Sequence, residues 1–242
     1  MKQFTESDFQ QLFGIERKEL VRHGDLFFRQ WFYRGVLPKL ENVYDMATKD
    51  FSAVIMAAGH SRRMGRPKMM LPYDRHQSFV ERGVNVLSGF GCAEIAIVVN
   101  IEGMNGLAGL SPAWPDCVRA VVNPFPEKGR FLSLQTGLSG LKKNCPVFIH
   151  NVDNPFVDGK VLHLLASHAG RADYIRPVCD GKPGHPVLIS ARVASDIVLE
   201  KKGEGHVRDY LAQYAQHFVR VNDPAVLVNI NTLEEYKKYF PE

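Results

Sequence analysis

The chain has 242 residues, long enough to bury the core of one sizeable α/β domain with a short appendage. A formal net charge of +4 suits the handling of small anions and is too weak to support nucleic-acid binding. Cys92, Cys117, Cys145 and Cys179 form no Cys-x-x-Cys pair, there is no signal-peptide pattern, and no apolar run nears the ~18 residues of a membrane span, so a reduced cytoplasmic protein free of membrane is expected.

Residues 1–50 differ in texture from the rest. Ser7 and Gln10 have the spacing of a capping box for a helix carrying Phe9, Leu12 and Phe13. A second helical stretch begins near Asp25, with Phe27, Phe28, Trp31 and Phe32, and is ended by Gly35 and Pro38. A helical N-terminal appendage is therefore expected over 1–50, either packed on the α/β domain or serving as a docking surface for a second subunit or a client enzyme. From Phe51 to residue 242, short β-branched runs alternate with helical patterns, the mark of an α/β domain with a mainly parallel sheet. Strands are expected at Ser52–Met56, Glu94–Val99, Val118–Val122, Pro146–His150, Tyr174–Pro177, Val187–Ser190 and Ala225–Ile230. Helices are expected from Ser78, with Glu81 completing a capping box, near Phe131, near Asp158, and from Thr232, where Glu235 again completes a box. In open parallel sheets ligands bind beyond the carboxyl ends of strands, so motifs falling there carry most weight.

The first strand runs into Ala57-Ala58-Gly59-His60-Ser61-Arg62-Arg63-Met64-Gly65-Arg66-Pro67-Lys68. Small residues at its start let backbone approach a base or phosphate, and consecutive N–H groups in such a turn form an anion-binding concavity. Arg62, Arg63, Arg66 and Lys68 repel one another unless a polyanion sits among them. The segment matches neither a Gly-x-Gly-x-x-Gly dinucleotide fingerprint nor a Walker phosphate loop. It resembles the Ala-Ala-Gly-x-Ser-x-Arg-Met-Gly-x-x-Lys signature of the molybdenum cofactor nucleotidyltransferases, and its Ala-Ala-Gly start resembles the molybdopterin cytidylyltransferase branch.

The resemblance implies a Rossmann-like, nucleotide-diphospho-sugar transferase type of sheet. It also implies a nucleotide site of Ala57, Ala58, Gly59, Ser61, Arg63, Gly65 and Lys68, with Arg63 and Lys68 on the triphosphate. Asn123-Pro124 with Gly129 and Ser133 is similar to a further nucleotide-contacting segment of the family, although the residues alone fit a plain strand-to-helix connection equally well. Asp153, in Asn151-Val152-Asp153-Asn154-Pro155, resembles the family's metal-binding Gly-Asp-Met-Pro. By itself it is also a turn former. Asn231 stands where the family often has a second acidic ligand, and either offers a carbonyl oxygen to the metal or merely precedes a helix cap.

Gly181-Lys182-Pro183-Gly184-His185-Pro186 resembles the cytidylyl branch's Gly-x-Pro-Gly-His-Pro, which implies an acceptor site of Lys182, Gly184 and His185; a loop that only bonds to itself is the alternative. His150 is expected to end a strand rather than bind metal. The implied reaction is Mg2+-dependent transfer of CMP from CTP to the phosphate of molybdopterin, with Arg63, Lys68 and Asp153 catalytic and a client molybdoenzyme as a further partner. The alternatives are transfer to a sugar phosphate or other phosphorylated metabolite, and a non-catalytic accessory protein that carries a nucleotide or cofactor to a molybdoenzyme.

Overall fold

The computed structural model describes residues 51–61, 64–110, 114–201 and 205–241. The expected helical appendage at 1–50, and Arg62 and Arg63 in the glycine-basic loop, lie outside them. Ser52–Met56 (β1) and Glu94–Val99 (β2) are continuous apolar runs because both faces of each are covered, as the centre of a parallel sheet requires. Val118–Val122 (β3) and Val147–Asn151 (β4) complete a parallel set in the order β3-β2-β1-β4. The chain thus moves outward from β1 to β3 and then returns to the other side of β1. That reversal opens a crevice beyond the carboxyl ends of β1 and β4.

The sheet continues past β4 with strands of mixed direction. Tyr174–Cys179 (β5) leads through the two-residue Lys182–Pro183 (β6) to Val187–Ile189 (β7), which inserts antiparallel between β4 and β5. Gln216–Arg220 (β8) runs parallel to β5. The result is a mixed, mainly parallel sheet flanked by helices, in agreement with the expected fold class.

Phe79–Phe90 (α1), Ile101–Leu110 (α2) and Gly159–Ala166 (α4) cover one face, where Phe79, Leu87, Phe90, Phe148 and Leu162 meet. Arg130–Ser139 (α3), Ala191–Leu199 (α5) and Val207–Ala212 (α6) cover the other with Phe131, Leu134, Val193, Ile197 and Leu211. Leu233–Tyr239 (α7) closes the fold, and both expected capping boxes, Ser78/Glu81 and Thr232/Glu235, are formed in full. Among the described residues, no helix is long and apolar enough to cross a membrane.

Two expectations are corrected. Ala225–Ile230 is not a strand: Asp223 caps a 3-10 turn over Pro224–Leu227, accepting from the Ala225 N–H at 2.9 Å, so the apolar run supplies buried pegs, Val226 and Ile230, instead of a ladder. The last strand is β8, where only Val219 is buried and the polar Gln216, His217 and Arg220 hid an edge strand. Helices α2, α5 and α6 also went unanticipated. In α2, glycines lower helix propensity but permit close approach: a Cβ on Gly103 would lie 3.1 Å from the Val99 Cβ.

Helix α3 sits so close to the sheet that a Cβ on Gly137 would fall 2.5 Å from Val98 Cγ2 and 2.6 Å from Val54 Cγ1. Both valines are fully buried and have little room to turn. Gly137→Val is expected to destabilise the protein by about 3 kcal/mol, the upper end of ordinary overpacking. Urea unfolding followed by circular dichroism measures it, and an unchanged midpoint would contradict this account of how α3 is seated.

Candidate active site

The glycine-basic loop leaves β1 still attached to the sheet, since the Ala57 N–H donates to Val98 O at 2.9 Å. Ala57 and Ala58 are buried, whereas Gly59 is open, with nothing within 4 Å of where a Cβ would stand. Ser61 adopts a positive φ of 49°, and its hydroxyl accepts the Lys68 N–H at 2.9 Å. That bond and the Met64 N–H to Ser61 O bond fold the loop back on itself, with the Met64 side chain buried as an anchor. Gly65 takes a φ of 68°, which glycine adopts without strain.

Lys68 then points across the crevice. Its Nζ donates to Asn231 Oδ1 at 2.7 Å and lies 3.5 Å from Asp153 Oδ2. Asp153 follows β4 directly, and its carbonyl accepts the Ile230 N–H at 2.7 Å. Glu235 of the α7 capping box accepts the Asn231 N–H at 2.5 Å, so a helix cap aims the asparagine. Asp153 Oδ1 is buried and has no partner. An orphaned carboxylate oxygen is costly and invites a cation or donor.

The opposite wall comes from the start of α3. Asn123 is fully buried, donates to Ser133 Oγ at 3.0 Å and accepts the Phe125 N–H at 2.9 Å. It positions the wall without lining it. Gly129, at φ 101°, makes the turn into α3 that a side chain would strain. Together these elements enclose a cavity of about 280 Å³, walled by Ala57 to Ser61 on one side and Gly129 and Ser133 on the other, with Lys68, Asp153 and Asn231 at its edge.

A second cavity, of about 820 Å³, adjoins the first, and the two share Met56, Gly129, Arg130 and Asn151. Arg130 Nη2 donates to Asn151 Oδ1 at the junction. His185 lines this second space with Arg176 and Arg208. Burial and the charges of Arg130, Arg176 and Arg208 push the His185 pKa down to about 4, against the opposing charge of Asp153. At neutral pH it is therefore an uncharged imidazole. The other two residues expected on the acceptor side lie elsewhere. Lys182 is exposed on β6 and lines neither cavity. Gly184 is a seating residue: a Cβ there would stand 2.5 Å from Val226 O, the carbonyl that accepts the His185 N–H at 2.9 Å.

His150 is a strand residue, as expected, buried against Gly83, with a pKa lowered by burial to about 3. Four residues of the junction and the second cavity escaped sequence reasoning: Arg130, Asn151, Arg176 and Arg208. Arg130 and Asn151 stood beside motif residues that drew attention, Gly129 and Asp153. Arg176 and Arg208 carry no local signal.

A crevice at the reversal point of a mainly parallel sheet, with Lys68 facing Asp153 across it and Arg130 in its lining, lies where folds of this kind bind their ligands. Residues 53–218 match the model of the MobA-like NTP transferase domain, and the chain belongs to that family. It is a nucleotidyltransferase of that family, in accord with the resemblance carried by Ala57 to Lys68. Nicotine blue oxidoreductase of Paenarthrobacter nicotinovorans is 27% identical over 76% of this chain and 93% of its own length. Molybdenum cofactor cytidylyltransferase of Escherichia coli is 24% identical, over 76% and 92%. Among solved structures, Rv0371c of Mycobacterium tuberculosis in complex with manganese superposes with a TM-score of 0.63 at 18% identity, over 81% of this chain and all of the other (100%). That likeness is one of fold, the nucleotide-diphospho-sugar transferase type.

Proposed function

We propose that the chain transfers CMP from CTP to the phosphate of a molybdopterin-type acceptor and releases pyrophosphate. One observation carries this reading: the cavity edged by Lys68, Asp153 and Asn231 and the second, larger one share Met56, Gly129, Arg130 and Asn151 in their walls. A donor in the first space and an acceptor in the second would meet at that junction. The E. coli relative, a cytidylyltransferase by name, supports the choice of nucleotide and acceptor.

The base would lie against the backbone from Ala57 to Gly59, with Lys68 and Arg63 on the triphosphate. The acceptor phosphate, with a second pKa of about 6, is largely dianionic at neutral pH and needs no general base. Its oxygen attacks the α-phosphorus, a new P–O bond forms, and the bond to the β-phosphate oxygen breaks. The electron pair and negative charge leave on pyrophosphate, which Lys68 neutralises. Arg130 holds the two phosphates close against their repulsion, so alignment supplies much of the rate. His185, as neutral imidazole, offers a hydrogen bond without adding charge.

A Mg2+ ion fits this edge. Asp153 offers the orphaned carboxylate oxygen, and Asn231, whose carbonyl oxygen accepts from Lys68, would share that oxygen as a second hard donor of the kind magnesium prefers. Among the described residues no group of three or more His, Cys, Asp or Glu could hold a metal. The ion would therefore share its coordination with the phosphates, as magnesium commonly does in nucleotide enzymes. When bound it supplies charge neutralisation at the phosphate oxygens.

The deciding experiment is pyrophosphate release with molybdopterin, Mg2+ and each of CTP, GTP and ATP. Turnover is expected with CTP. A preference for GTP would overturn the base assignment and spare the reaction type. Absence of pyrophosphate with every nucleotide would overturn transfer itself. The relative named an oxidoreductase supplies the control: the same mixtures are followed by absorbance for a change of redox state, which transfer does not produce.

A further inference from the structure

The floor of the second cavity crosses the sheet. Met56 belongs to β1, Asn151 to β4, Val187 to β7 and Arg176 to β5, and these strands are successive neighbours. At about 4.8 Å per strand, Arg176 stands roughly 10 Å from the strand that carries Asn151, with β7 between them. The floor along this path is apolar: Val187 and Ile149 are buried there. Arg130 is committed to the near end by its bond to Asn151.

The far end is built around an unpaired guanidinium. Arg176 Nε is buried and has no hydrogen-bond partner. Its Cζ lies 5.5 Å from the centre of the Tyr174 ring, a contact that orients the group without meeting its donors. Arg208 of α6 lines the same cavity, and its charge, like that of Arg176, acts on Tyr174. Among the described residues, the ion pairs are Lys68–Asp153, Arg119–Glu94 and Arg192–Asp173, and none involves Arg130, Arg176 or Arg208. Asp209 also lines the cavity but pairs with none of them. A half-buried arginine with an unsatisfied nitrogen calls for an acceptor, and an anion meets both its donors and its charge.

We infer that the acceptor carries a second anionic group, held by Arg176 with Arg208, across an apolar span from the phosphate that meets Arg130. This rests on the reading of the second cavity as the acceptor site, and it adds a substrate class: a phosphate monoester that bears a further negative charge remote from that phosphate. Arg176 is the specificity-determining residue for that charge.

The test uses the full chain and two probes of one carbon skeleton, hexane-1,6-diol bisphosphate and hexyl phosphate, titrated by calorimetry. The bisphosphate is expected to bind at least tenfold more tightly. Arg176→Gln removes that difference and leaves hexyl phosphate affinity unchanged, with circular dichroism confirming the fold. Arg171→Gln, an equal change of charge at an exposed position away from both cavities, retains the difference. Equal affinity for the two probes overturns the inference. So does a difference that survives Arg176→Gln combined with Arg208→Gln, or one lost equally in Arg171→Gln. Pyrophosphate release enters no arm, so a failure of nucleotidyl transfer and a failure of this inference are separately visible.

Discussion

Asp153→Asn is expected to lower the turnover rate for pyrophosphate release by about 10³-fold, while the protein folds normally and still binds nucleotide. The substitution keeps the shape of the side chain and the backbone bond from Ile230. It removes the carboxylate that faces Lys68 and offers the orphaned oxygen. Losing one preorganised electrostatic partner of a phosphoryl transition state commonly costs 10²–10³-fold, and losing a metal-binding carboxylate belongs at the upper end. Lys68 keeps its bond to Asn231, so the cation facing the triphosphate stays in place. Steady-state assays across nucleotide concentration, with circular dichroism on the same sample, separate turnover from binding. Wild-type turnover in the variant would remove Asp153 from the mechanism.

Arg130→Ala is expected to cut kcat/KM for the acceptor by about a hundredfold, or roughly 2.7 kcal/mol of transition-state stabilisation. Nucleotide affinity should change far less, because Lys68 is the residue proposed to hold the other end of the triphosphate. Arg130→Lys should recover only part of the loss. A lysine is a point charge and cannot present a planar fork to Asn151 and a phosphate at once. Calorimetry of nucleotide binding beside acceptor kinetics measures both quantities. Equal losses on the two sides would place Arg130 in the nucleotide site alone.

What the sequence disclosed was what is written locally. Continuous apolar runs marked β1 and β2, and the spacings Ser78/Glu81 and Thr232/Glu235 marked helix starts, because capping is a matter of three residues. The loop from Ala57 to Lys68 was visible for the same reason. The antiparallel insertion of β7 was not, since pairing partners are chosen by the whole sheet. Nor was the exchange of a strand at Ala225–Ile230 for β8: apolar content suggested the first, but burial as isolated pegs consumed it. Arg130 and Asn151 lie at neighbouring strand and helix ends that only the topology brings together. Arg176 and Arg208 required knowing which strands adjoin. Lys182 stands outside both cavities, and the sequence does not distinguish an exposed turn from a site loop, because both use the same glycines and prolines.

Lys68 and Asn231 touch although they stand 163 positions apart in the chain. The Tyr236 hydroxyl donates to Pro72 O at 2.9 Å, and the Tyr236 and Phe240 rings lie against Phe79. These contacts moor the segment that follows Lys68 to the last helix. During synthesis, the β1 loop leaves the ribosome long before Asn231 exists, and until then Lys68 has no amide to meet. A nascent chain would therefore hold much of the sheet yet lack the Lys68–Asn231 contact. Proteolytic trimming through Tyr236 would return a mature molecule towards that incomplete state, leaving the glycine-basic loop in place but its lysine unmoored.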